Sequence, residues 1–106
     1  MASSQEYVDI VCENISGIGN IRYRKMFGEY MIYIDELPII LVCDNTPYIK
    51  QKEELEKLMK NSDKGIPYNG AKEHFILDID DRDLTFKALN ILKEITPLPK
   101  PKKKKI

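Results

Sequence analysis

YRKMFGEYMIYID, Tyr23 to Asp35, decides the fold of this chain. Ile21, Tyr23, Lys25 and Phe27 alternate with Arg22, Arg24 and Met26, the period of a half-exposed strand. After Gly28 and Glu29 the run YMIYI is aromatic and β-branched, a composition that suits a pleated, half-buried surface. The stretch therefore predicts two strands joined at a bend, the first hairpin of the domain. Gly28 would supply there a backbone angle or close approach that a side chain forbids.

Working outward, Asp35 and Glu36 predict a tight turn into LPIILVC, which is apolar on both faces and reads as a central strand with Pro38 near its start. DNT is turn-like, and Pro47 to Lys50 follows as a short fourth strand. On the N-terminal side, Ser3 and Glu6 stand at capping-box spacing before a helix. Val8, Val11, Cys12 and Ile15 lie on one face of that helix, and Gly17 and Gly19 stop it. On the C-terminal side, QKEELEKLMK predicts a short helix with Leu55, Leu58 and Met59 inward. Gly65, Pro67, Asn69 and Gly70 mark a loop, and HFILDI is a fifth strand. Asp80 or Asp81 caps a last helix bearing Leu84, Ala88, Ile91, Leu92 and Ile95, which Pro97 ends. Strands joined by short turns pair antiparallel, so the fold expected is α+β, with about five antiparallel strands flanked by helices in the order α-β-β-β-β-α-β-α. Residues 3–96 form the domain, and 97–106 a Pro- and Lys-rich extended tail.

The chain has 106 residues, enough for one modest core. Its 17 Lys and Arg balance 17 Asp and Glu, but Lys100, Lys102, Lys103, Lys104 and Lys105 all sit in the tail. Residues 1–99 carry a formal charge of about −5, which argues against a folded face steered as a whole toward DNA. The five tail lysines are the candidate nucleic-acid contacts, suited to weak, salt-sensitive and non-specific binding. Cys12 and Cys43 lack the spacing of a metal or redox motif and read as reduced, buried thiols. With no apolar segment of signal or membrane-spanning length, a cytoplasmic location without a membrane partner is expected.

Chemistry is thin. The single histidine, His74, has no partner in the linear sequence that would tune it for acid–base work, and the structural reading outweighs the catalytic one. Three His and Cys residues scattered along the chain do not make a zinc site. One glycine between strands is no phosphate cradle. Tyr23, Tyr30 and Tyr33 could stack bases beside Arg22 and Arg24, but alternation sends them to different faces. SGIGNI raises the glycine-turned hairpin of a helix-hairpin-helix DNA module, against which the strand pattern that follows counts. No enzyme activity, cofactor or metal is expected.

SGIGNIRYRKMFGEYMIYIDELPIILVCDNTPYIK, followed by IPYNGAKEHFIL, resembles the N-terminal domain of the TfoX/Sxy proteins, bacterial regulators of competence genes. YRKMFGEY is the most diagnostic piece, supported by MASSQEYVDIV, the YNGAK loop and the Pro- and Lys-rich end, so that the likeness spans Ser3 to Lys105. It implies an α+β domain without enzyme activity. Longer members carry a second, C-terminal domain and act as co-activators with a cyclic-AMP receptor protein, so a stand-alone form is expected here. The leading expectation is a non-enzymatic protein-interaction module in transcriptional regulation. Arg24, Lys25, Glu29 and Lys50 are its candidate partner contacts, and homodimerisation through an exposed sheet edge is a further expectation. The alternative is a nucleic-acid-binding protein using the tail and the Arg22–Lys25 stretch.

Overall fold

The computed structural model describes residues 3–26 and 29–97. Gly28 and the five tail lysines, on which two of the expectations rest, lie outside them. The elements run α1 (Gln5–Asn14), β1 (Ile21–Met26), β2 (Glu29–Ile34), β3 (Leu37–Cys43), β4 (Thr46–Lys50), a 3-10 turn (Glu53–Leu55), β5 (Lys64–Gly65), β6 (His74–Ile76) and α2 (Arg82–Ile95). The six strands form one antiparallel sheet in the order β1-β2-β3-β4-β6-β5. The expected α+β architecture holds, with one more strand than foreseen.

Two-residue turns set the register of the central strands. Ile34 pairs with Leu37 and Cys43 with Thr46, which leaves Asp35–Glu36 and Asp44–Asn45 as the loops. All four loop residues have positive φ, between 52° and 69°, as the twist of a two-residue hairpin requires. Asp and Asn tolerate that region; Glu36 does so at some cost. Between the two turns, Ile32 faces Ile40 while Tyr33 faces Pro38, so Ile39 is the extra residue of a bulge. The bulge sits beside the proline, where a ladder donor is missing anyway.

The register also sorts the side chains. Tyr30, Ile32 and Ile34 on β2, Ile40 and Val42 on β3, Ile49 on β4 and Phe75 on β6 are buried together with Val8, Val11 and Ile15 of α1 and Ala88, Leu89 and Leu92 of α2. Both helices thus cover one face of the sheet. Fully burying one such side chain stabilises by about 1.5–3 kcal/mol, so this face dominates stability.

Two local expectations are corrected, and the α2 expectation holds. The cap of α1 is Ser4, whose hydroxyl accepts from the Tyr7 amide at 3.1 Å, and not Ser3. Ser3 is drawn off by a longer-range network described below. The QKEELEKLMK segment is a 3-10 turn followed by irregular turns: the Leu55 amide donates to Lys52 O at 2.9 Å, and the Met59 amide donates to Leu55 O at 2.9 Å. Three glutamates in four residues crowd like charge into a piece too short to be self-supporting, and the burial of Leu55 and Met59 fixes its path instead. In α2, capped by Asp81 on the Leu84 amide, the buried stripe is Thr85, Ala88, Leu89 and Leu92. Leu84, Ile91 and Ile95 flank it half-buried.

A clasp closes the domain where α2 ends. Lys93 Nζ donates to Ile18 O at 2.8 Å and meets Asp35 Oδ2 at 3.0 Å, while Asp35 Oδ1 accepts from the Asn20 amide at 2.8 Å. Gly19 leaves room for it, since a Cβ there would lie 2.8 Å from the Asp35 carboxylate oxygens. The chain after the glycines enters β1 directly, which rules out the helix-hairpin-helix reading.

Candidate functional site

The face of the sheet that the helices leave uncovered is built by strand alternation. Following the pairing from β1 to β6 gives one row: Arg24, Met31, Leu41, Tyr48 and Ile76. A second row holds Arg22, Tyr33 and Pro38, and a third Lys50, His74 and Gly65. Met31, Tyr33, Leu41, Tyr48 and Ile76 are half-buried, whereas the residues alternating with them on β2 and β4 are buried. The result is an apolar strip with cations at its two sides.

The candidate contacts named from the sequence separate on this frame. Arg24 and Lys50 share the open face, three strand spacings or roughly 14 Å apart. Lys25 pairs with Tyr30 and so belongs to the helix side. Glu29 is a structural knot. Its Oε1 accepts from the Ser3 hydroxyl at 2.7 Å, the Ser3 amide at 3.3 Å and the Asp44 amide at 3.1 Å. The Asn45 amide in turn donates to Ser3 Oγ at 3.0 Å, and the Ser4 amide to Asn45 Oδ1 at 2.9 Å. These bonds tie the start of α1 to β2 and to the β3–β4 turn, which is why Ser3 is buried and does not cap.

The tyrosines divide as alternation requires. Tyr23 and Tyr30 meet edge to face at 5.5 Å on the helix side, while Tyr33 lies opposite. Arg22 lies 4.3 Å over the Tyr33 ring and grips Glu36 through Nε and Nη2, at 3.0 and 2.8 Å. That hydrogen bond holds the Glu36 carboxyl below its usual range. The Asn20 amide, and then Lys93, do the same for Asp35.

On the far side of the face a cleft of about 630 Å³ opens between the end of β4 and the loop leading into β6. Lys50, Lys52 and Lys72 line it with Tyr68 and His74. Its one lining carboxylate, Glu73, accepts from the Gln51 side-chain amide at 3.1 Å. His74 Nδ1 lies 2.8 Å from Lys72 O and carries the proton, because a carbonyl only accepts; Tyr48 meets the ring edge to face at 6.4 Å. Of these residues only Lys50 was named from the sequence as a contact. The return of a loop twenty residues downstream leaves no local trace, though Lys50 and Lys52 at a strand end and the Tyr and Lys of YNGAK are its ingredients.

Burial first, then the charge of Asp9, pushes the Cys12 thiol up to about 11. Burial, with Glu29 and Asp44, pushes Cys43 up to about 11. Both cysteines are free, Cys43 buried and Cys12 only half-buried. Among the described residues no group of His, Cys, Asp and Glu is arranged to hold a metal ion, and no helix is long and apolar enough to cross a membrane.

The family model for the TfoX N-terminal domain matches residues 13–81, from the end of α1 to the cap of α2. The chain belongs to the TfoX N-terminal domain family. It is also 30% identical, over 107 aligned residues, to an uncharacterized 12.7 kDa protein in the trpE 5′ region of Spirochaeta aurantia. That alignment covers 99% of this chain and 93% of the relative. The TfoX-matched region contains the whole sheet, and with it both the apolar strip and the basic cleft.

Proposed function

We propose that this TfoX-type domain is a non-enzymatic protein-interaction module of the cytoplasm that acts in transcriptional regulation, and that its partner docks on the uncovered sheet face. The observation that carries the reading is the strip Met31, Leu41, Tyr48 and Ile76, half-buried and contiguous by register across four strands. A partner with an apolar ridge and acidic rim residues fits it, because Arg24 and Lys50 flank the strip. The thiols, both pushed up to about 11, are poor nucleophiles at neutral pH, which supports a binding rather than a chemical role.

The test is binding of the full chain to purified bacterial RNA polymerase and to purified cyclic-AMP receptor protein, by biolayer interferometry. The reading expects one of them to bind, and Met31→Glu and Leu41→Glu to abolish that binding while leaving the circular dichroism spectrum unchanged. Binding to neither component, or equal binding by folded variants, would sink it.

A further inference from the structure

We propose that the cleft formed by Lys50, Lys52, Tyr68, Lys72 and His74 binds a nucleotide, either free or as the phosphorylated end of a single strand. The proposal does not rest on the docking reading: the cleft borders the open face and shares Lys50 with it, but the ligand is of a different class.

Three features point to this chemistry. The first is charge. Residues 1–99 carry a formal net charge of about −5, yet three lysines converge on this one cleft. The only lining carboxylate, Glu73, is engaged by Gln51. A local positive potential on an otherwise acidic body selects anions and directs them to one place. Three ammonium groups on flexible stems suit phosphate oxygens, which accept from several donors at once.

The second is the pair of rings. Tyr68 is 59% exposed, a large side chain left in solvent beside the lysines. His74, which also lines the cleft, is held by its bond to Lys72 O and by the Tyr48 edge contact. An exposed ring and a fixed ring at one cleft offer stacking faces to a planar base, a contact that tolerates any base because each has a π-face. The Lys72 O bond also fixes the His74 tautomer, leaving Nε2 free of that bond.

The third is size. At about 630 Å³ the cleft lies within the range, roughly 300–1,000 Å³, of pockets that take small molecules and cofactors.

The experiment is a ¹H–¹⁵N NMR titration of the full chain with ATP and with a short 5′-phosphorylated single-stranded oligonucleotide, with sodium sulfate at equal ionic strength as reference. The proposal expects shifts concentrated at residues 50–52, 68 and 72–74, tighter for ATP or the oligonucleotide than for sulfate. Lys50→Ala with Lys72→Ala, both exposed positions that leave the fold intact, should raise Kd about tenfold, the loss of about one charge-assisted hydrogen bond. If ATP binds more tightly the source is a free nucleotide; if the oligonucleotide does, it is a strand end. Shifts confined to the C-terminal lysines, sulfate shifts equal to those of ATP, or an unchanged Kd in the double variant would each overturn the proposal.

Discussion

The two faces of the sheet come from the same strands and the same alternation, yet they differ in what holds them. On the helix side, Ile32, Ile34 and Ile40 are fully buried under α1 and α2. On the other, Met31 and Leu41, each one residue away in sequence, are left half-buried. Period-2 strands of purely structural use commonly turn polar residues to water. Here the second face is apolar as well, and that surplus is what points to binding.

Core truncation breaks this comparison most directly. Ile32→Ala and Ile40→Ala should each destabilise by about 2–5 kcal/mol, and Leu41→Ala by about 1 kcal/mol or less, read from urea midpoints. Equal losses would mean that the open face is covered in solution. Repeating the melt at two protein concentrations would then show whether a second copy covers it.

The Ser3–Glu29 knot sharpens the contrast at the sheet's end. Glu29→Ala removes the carboxylate that accepts from Ser3 and from the Asp44 amide, and should cost about 1 kcal/mol with no gain or loss of partner binding. A variant of full stability that lost a partner would return Glu29 to the contact surface.

The clasp gives a smaller, pH-dependent effect. Asp35 and Glu36 have carboxyls held below their unfolded values, near 3.9 and 4.3. Depressed carboxyls contribute stability above those unfolded values and lose it as pH falls through the folded ones. Stability should therefore drop as pH falls below about 4. Asp35→Asn, which keeps a residue tolerant of positive φ, should flatten part of that slope in a series of thermal melts. An unchanged slope would remove Asp35 from the account.

Least disturbing of all is thiol chemistry. With both thiols pushed up to about 11, native Cys12 and Cys43 should react with Ellman's reagent far more slowly at pH 7 than they do in urea. Comparable rates would show that burial does not protect them.

What could be read beforehand follows the range of the forces involved. Alternation, two Asp-led turns and an apolar run are local, so Ile21 to Lys50 was legible as four strands. In residues 51–73 the inward Leu55 and Met59 were legible, but not the irregular path that their burial imposes, nor the short β5, which is placed by pairing with His74 and Phe75. Ser3 looked like a cap from its spacing to Glu6, yet a carboxylate 26 residues away outcompeted the helix amides for its hydroxyl. The candidate contacts fared alike: Arg24 and Lys50 fell on one face by simple parity, whereas the gathering of Lys52, Tyr68 and Lys72 needed a loop closure that no periodicity records.

The clasp has a consequence in time. Lys93 bonds to a carbonyl 75 positions earlier, at Ile18, so the clasp can close only after α2 has been made. At about 5–20 residues per second, the interval between synthesis of Lys50 and of Lys93 lasts roughly 2–9 s. During it α1 and the first four strands can come together through the two-residue turns, while the part of the isoleucine-rich side that α2 covers is still open. Each newly made copy thus passes through a window in which the open face and the α2-covered part of the core face are both exposed, and chaperones that bind nascent chains would meet it there.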